Sequence, residues 1–273
     1  MPIRIATPLA MIACLASALV CAADADPPKL SLDVIGLRVS KPHALKERLL
    51  WPAGTTLSLL ISSPIGELIR FDASDSAVAK FVDDKGTDLQ ARPKDATVEQ
   101  IALAGFGNAA KIDKDAKNCI VEISAPSLPV KGAAHIQLLG TLTMLCATQK
   151  KETVVSNVPF KNGTKIAGPN NLELEIVEMN EAPRDLGRDA MCFVLRAQRE
   201  LDGIAEIKFF RPDGGEIKAA RTSTSTLSIQ GDIKVDWSYT FSERVDAGAI
   251  KLYSWSDIQK KRIKVDLTVD LGL

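Results

Sequence analysis

Two histidines, five cysteines and scattered carboxylates are the side chains of this 273-residue chain that could do polar chemistry. His43 and His135 stand in unlike surroundings, and neither shares a stretch with a Gly-x-Ser-x-Gly nucleophile turn, so nothing spells a serine hydrolase. His135 precedes Ile136 and points outward if Ile136 points in. Zinc would need His or Cys clustered at ligand spacing, and no such cluster occurs. Asp72, Asp75, Asp83, Asp84 and Asp88 bring carboxylates together, but their spacing is not that of a calcium loop and lysines interrupt it. Such acidic neighbours read as solvated β-turns. Phosphate-cradling glycine loops are missing as well. These residues predict a non-catalytic protein with no cofactor, no metal and no catalytic residue. A secreted hydrolase is third in order, because the separation of paired carboxylates is a three-dimensional quantity.

Aromatic residues offer the remaining chemistry. Trp237, Tyr239 and Phe241 share parity with Val235 and read as core. Tyr253 and Trp255 have the opposite parity from Ile250 and Leu252, which places them on an outer face. Two exposed rings two residues apart on a strand could stack on sugars, or pack against another domain or a partner.

The elements that must carry these residues are strands. Residues 81–89 and 209–217 share one pattern: an aromatic, a polar turn centred on glycine, then an acidic and an aliphatic residue. Residue 209 stands 128 positions after residue 81, about one domain length. Both stretches read as hairpin corners. Residues 171–177 repeat the alternation of 29–35, and residues 191–195 stand where 57–61 stood. At Ile35-Gly36 the apolar parity switches, as a bulge at a glycine produces. Further on, Ile136 and Ile250 match at a spacing of 114, so the first half carries the longer excursion, and the irregular stretch 94–117 is its natural home. Cys119, Val121 and Ile123 share one face. Ile136, Leu138, Leu142, Met144 and Cys146 share another, and Val154, Ser156, Val158 and Phe160 a third.

About seven short strands per half, turns every 8 to 12 residues and no helical period predict an all-β chain. The expectation is two tandem immunoglobulin-like antiparallel β-sandwiches, at residues 24–163 and 164–273. The Cys…Trp…Cys spacing of true immunoglobulin domains is absent, with Ser58 where the second half has Cys192.

Residues 1–23 read as a secretory signal peptide. Arg4 supplies the positive region, an apolar run follows, and Val20-Cys21-Ala22 or Cys21-Ala22-Ala23 offers a small-residue cleavage pattern. The run is short of the ~20 residues a membrane span needs, and no other stretch comes close, so no transmembrane helix is expected in the mature chain. Lipid attachment at Cys21 is disfavoured by Val20, which stands where a small residue is wanted. The expected location is periplasmic or extracellular. Without Arg4 the chain has 33 basic against 34 acidic residues, a balance that argues against nucleic acid as the partner. Lys260-Lys261-Arg262 reads as a solvated turn before the last strand.

Three cysteines remain after the leader: Cys119, Cys146 and Cys192. A hairpin pairing Val121 with Leu138 sets Cys119 opposite Gly140, six residues short of Cys146 at about 3.4 Å per residue. Buried free thiols are the expectation. Taken together, the sequence predicts an exported interaction or adhesive module binding an unknown protein. The alternative is a carbohydrate-binding module that uses Tyr253 and Trp255 on a polysaccharide.

Overall fold

A computed structural model describes residues 29–41, 53–93, 105–106, 110–181, 190–229 and 231–272. Residues 1–23, expected to be a signal peptide and including Cys21, lie outside these residues, as do His43 and most of 94–117. The described chain is all-β apart from one 3₁₀ turn at Pro169–Asn171. The strands of the first half are Ser31–Ser40 (β1), Gly54–Ser62 (β2), Glu67–Phe71 (β3), Ala77–Asp83 (β4), Gly105–Phe106 (β5), Lys111–Ile112 (β6), Asn118–Ala125 (β7) and His135–Ala147 (β8). Lys150–Pro159 (β9), Lys165–Ala167 (β10), Glu173–Glu181 (β11), Met191–Ala197 (β12) and Ile204–Phe210 (β13) follow. Glu216–Ile217 (β14), Ala219–Ile229 (β15), Asp232–Phe241 (β16), Ala247–Trp255 (β17) and Gln259–Asp270 (β18) complete the set.

Four antiparallel sheets pair up around two hydrophobic cores. In the first, the sheet β1-β2-β7, extended by β5 and β6, faces a sheet in which β8 is flanked by β18 on one edge and by β3 and β4 on the other. Strict alternation makes this core: Leu57, Leu59 and Ile61 from β2 meet Ile136, Leu138 and Leu142 from β8, all at most 1% exposed. In the second, the sheet β10-β11-β12-β16-β15 faces β14-β13-β17-β9. Its centre is aromatic. The Phe193 and Phe241 rings stack 5.1 Å apart, Phe209 lies 4.8 Å from Phe241, and Phe160 meets all three edge-on.

The two hairpin corners form as the repeat predicts. Leu89 donates its N–H to the Phe81 carbonyl, and Phe209 pairs with Ile217. Gly86 and Gly214 occupy the left-handed region at φ 85° and 87°, where a side chain would strain the turn. The Asp83 carboxylate caps the first corner by accepting from Lys85, Thr87 and Val130 N–H. The bulge at Ile35 is present, and a matching register shift falls between Ile176 and Glu178.

Strand pairing and core membership cross the boundary expected at 163/164. β9 belongs to the second core, where it pairs with β17, and β18 belongs to the first, where it pairs with β8. β8 does not fold back on its sequence neighbour. It runs on into β9 with only Thr148 and Gln149 between, and β17 runs on into β18 through 256–258. The register keeps step across this junction. Asp270 opposes His135, Gln259 opposes Cys146, Trp255 opposes Lys150 and Ile250 opposes Val155, and three residues lie between the two middle pairs on either strand. The crossing itself is bonded: Ser256 N–H reaches the Gln149 carbonyl at 3.1 Å. The Asp257 carboxylate accepts from Thr148 N–H at 3.0 Å, Gln149 N–H at 2.9 Å and the Thr148 hydroxyl. One two-stranded ribbon therefore threads both sandwich-like units. Alternation alone could not reveal this, because β9 and β18 have acceptable faces for either neighbour.

Two further expectations change. Val121 pairs with Leu59 rather than Leu138, so Cys119 and Cys146 lie on facing sheets; both are buried free thiols, and Cys192 is free and half-buried. Burial pushes the Cys119 thiol up to about 11, which makes it a poor nucleophile. In β9, Asn157 takes φ 56° beside a register shift, so Val155 and Val158 turn inward while Val154 is 49% exposed.

Two outcomes follow. Truncating the chain before Gln259 should strip β8 of one edge partner and remove Ile263 and Val265 from the first core. Amide exchange should then accelerate in β2, β7 and β8 while β12 and β16 stay protected. Loss confined to the second unit would refute the crossed pairing. Lys260 of β18 also pairs with Asp72 at 3.1 Å, and a hydrogen bond from Ser74, helped by Lys260, lowers the Asp72 carboxyl to about 2. A depressed carboxyl stabilises above its unfolded pKa and loses that contribution as pH falls through the folded one. Denaturant midpoints should drop between about pH 4 and pH 2, and Asp72→Asn should flatten that decline.

Candidate functional site

Where the two units meet, the ribbon leaves a cleft of about 670 Å³. Its first-unit wall is β3, from Glu67 to Arg70, with Lys114 and Ala116 beside it. The other wall combines the turn 200–202 with the side of the second sheet that carries Arg221, Thr224, Thr226 and Trp237. Trp255, the last residue of β17, lies on the floor at the crossing.

Each side chain is placed by local structure. Among the described residues β15 pairs only with β16, so its eleven residues form the outer edge of the five-stranded sheet, and all are exposed. Thr224 opposes Trp237 and Thr226 opposes Val235, which sets both hydroxyls on the inner face beyond the reach of the facing sheet. Trp237 is 6% exposed because it closes the core at that margin, and the Arg221 guanidinium covers it 4.7 Å from the ring. Arg221 and Lys114 make no ion pair among the described residues.

The same cleft holds a clasp between units. Arg70 Nη1 donates to Glu200 at 3.1 Å. Arg70 Nε lies 3.0 Å from Asp202 Oδ2 but off the N–H direction, so that contact is ionic rather than hydrogen-bonded. Burial pushes the Asp202 carboxyl above the usual range against the pull of Arg70, and the nearby Glu200 adds to the rise. Lys150 bridges Glu67 at 2.9 Å and stands over the Trp255 ring at 4.6 Å. A first-unit carboxylate is thus linked through a ribbon lysine to a second-unit aromatic.

Trp255 is therefore buried, 8% exposed, contrary to the outer-face expectation. Alternation ends at the crossing, where Ser254 and Trp255 are buried in succession. Tyr253 is half-buried on the outer face, and its hydroxyl is engaged with Glu152, which raises its pKa. The two rings thus stand in different settings, one inside the junction and one tied to a neighbouring strand. Trp237, Tyr239 and Phe241 are core, as their parity indicates. Sequence reasoning missed Arg70, Glu200, Asp202, Lys114 and Arg221, whose meeting depends on the crossing. A signal for β15 was present. Thr and Ser alternate over 222–226 with no apolar face, which is the composition of an uncovered strand.

Among the described residues no group of three or more His, Cys, Asp or Glu side chains is placed to hold a metal ion, and no helix is long and apolar enough to cross a membrane. No protein-family model and no curated protein matches the chain. Among solved structures, a conserved domain protein from Bacillus anthracis is similar over 90% of this chain and 89% of its own, at 9% identity and a TM-score of 0.23. A likeness that distant carries no argument.

The clasp makes a modest stability prediction. Because the Arg70, Glu200 and Asp202 side chains are a third to a half exposed, Arg70→Ala should cost under about 1 kcal/mol, and less as salt is raised. Thermal unfolding at low and high ionic strength checks this, and a large salt-independent loss would show that the guanidinium does more than clasp.

Proposed function

We propose that this is an exported, non-catalytic interaction protein built from two immunoglobulin-like sandwiches, with the cleft between them as its binding surface for another protein. The sheet orders support the fold reading: in each unit a five-stranded antiparallel sheet faces a four-stranded one, the two-layer arrangement of a sandwich. The single observation that carries the functional reading is the cleft itself, an open polar concavity whose walls come from both units and whose floor is the bonded ribbon. A surface assembled from two units and fixed by a continuous ladder is preorganised, which reduces the ordering cost of binding.

Hydrolysis is a second reading with one observation behind it. Glu67, Glu200 and Asp202 line the same cleft, and the Asp202 carboxyl is raised. Each carboxylate already engages a cation, Glu67 through Lys150 and the other two through Arg70, so a structural clasp accounts for them. Glycan stacking on Tyr253 and Trp255 has less behind it, because buried Trp255 presents no free face to a sugar.

Titration calorimetry of the mature protein against soluble polysaccharides and peptidoglycan fragments, with Trp255→Ala in parallel, separates the readings. The expected result is no saturable heat from any sugar and unchanged products on incubation. Saturable binding that Trp255→Ala removes would establish the glycan module instead, and release of reducing ends that Asp202→Asn abolishes would establish the hydrolase.

A further inference from the structure

We infer that the free edge of β15 accepts an extended, acidic segment of a protein partner as an added strand along the cleft. This rests on the protein-binding reading above and names its surface and the chemistry of its partner.

The long edges of the sheets are protected unequally. An unpaired edge is a template for another strand, and proteins blunt it with lysines, prolines or bulges. β18 carries Lys260, Lys261, Arg262 and Lys264. β9 carries Lys150, Lys151 and Pro159 and is broken at Asn157, and β1 is broken at its middle by the bulge at Ile35. β15 has none of this over most of its length. Its register shift lies near the start, between Arg221 and Ser223. From Ser223 to Ile229 the pairing with β16 is regular, with neither proline nor charge. Backbone N–H and C=O groups of alternate residues in that run point away from β16, and no strand among the described residues receives them. Leu227 and Ile229, at 53% and 58% exposed, add apolar surface to the same edge.

Charge fixes the kind of strand. A strand laid on β15 projects every second side chain toward the inner face, about 7 Å apart, over Thr224 and Thr226. The cations there are Arg221 and, across the cleft, Lys114, neither held by a carboxylate among the described residues. Arg70, Glu200 and Asp202, which line the same cleft, are already joined to one another. Carboxylates at alternate positions of the incoming segment would therefore complete the lining, and lysines there would meet uncompensated like charge.

The test uses three fluorescein-labelled peptides of about ten residues: alternating Thr and Val with two inward glutamates, the same with two inward lysines, and the glutamate form N-methylated at alternate residues. Fluorescence polarisation with the mature protein should show the acidic peptide binding about tenfold or more tighter than the lysine peptide. The N-methylated form, which cannot complete a ladder, should lose binding. Arg221→Glu, a change at an exposed position, should reverse the charge preference while circular dichroism stays unchanged. Lys114→Glu should weaken the acidic peptide independently. Equal binding of all three peptides, no binding, or indifference to Arg221→Glu overturns the assignment. A photo-crosslinking residue at position 226, compared with one at exposed position 154, separates this from the broader reading. Protein crosslinks from 154 alone would overturn the β15 site and leave a protein partner elsewhere. Crosslinks from neither would sink both.

Discussion

Everything in this molecule hangs on the register of one ribbon. β8 with β9 and β17 with β18 stay in step from His135–Asp270 at one end to Val155–Ile250 at the other. An antiparallel ladder slips only in whole residues, and a slip of one would turn Ile136, Leu138 and Leu142 to solvent together. The two cores thus fix the register from both ends, and the bonds around Asp257 hold the crossing between them. The cleft is a by-product of that constraint, since the walls stand apart by a distance the ladder sets. A flexible linker would leave the orientation of the units to a surface clasp worth little by itself.

Local pattern made much of the fold readable. Period-two alternation located the core-facing residues of β2, β7 and β8, and the recurring pattern at 81–89 and 209–217 located two corners whose Gly86 and Gly214 take positive φ. Even the bulge at Ile35 was announced by a parity switch. These features depend on a residue's immediate neighbours, which a sequence displays directly.

What stayed hidden depends on which strand meets which. β9 and β18 each follow a central strand by a two- or three-residue connection, the usual signature of a hairpin, and each instead continues straight into the other unit. Parity then misled twice. Val154 turns outward because Asn157 bulges the strand, and Trp255 turns inward because alternation stops at the crossing. The cleft was illegible for the same reason: Arg70 stands 130 positions before Glu200 and meets it only through the crossed ribbon.

The crossing also has a bearing on biogenesis. The strand that closes the first core is the last of the described strands to be made, and its partner lies 135 positions earlier, at the pairing of Asp270 with His135. Contacts of such separation are slow to form, because a long loop must close before any of them stabilises. A chain emerging from its N-terminal end therefore carries β8 with one edge open until β18 arrives, and an open edge recruits whatever strand is near. For this topology, early completion of the first unit is a hazard to be deferred, and holding the chain unfolded until its full length is available favours the correct partner over a neighbouring copy.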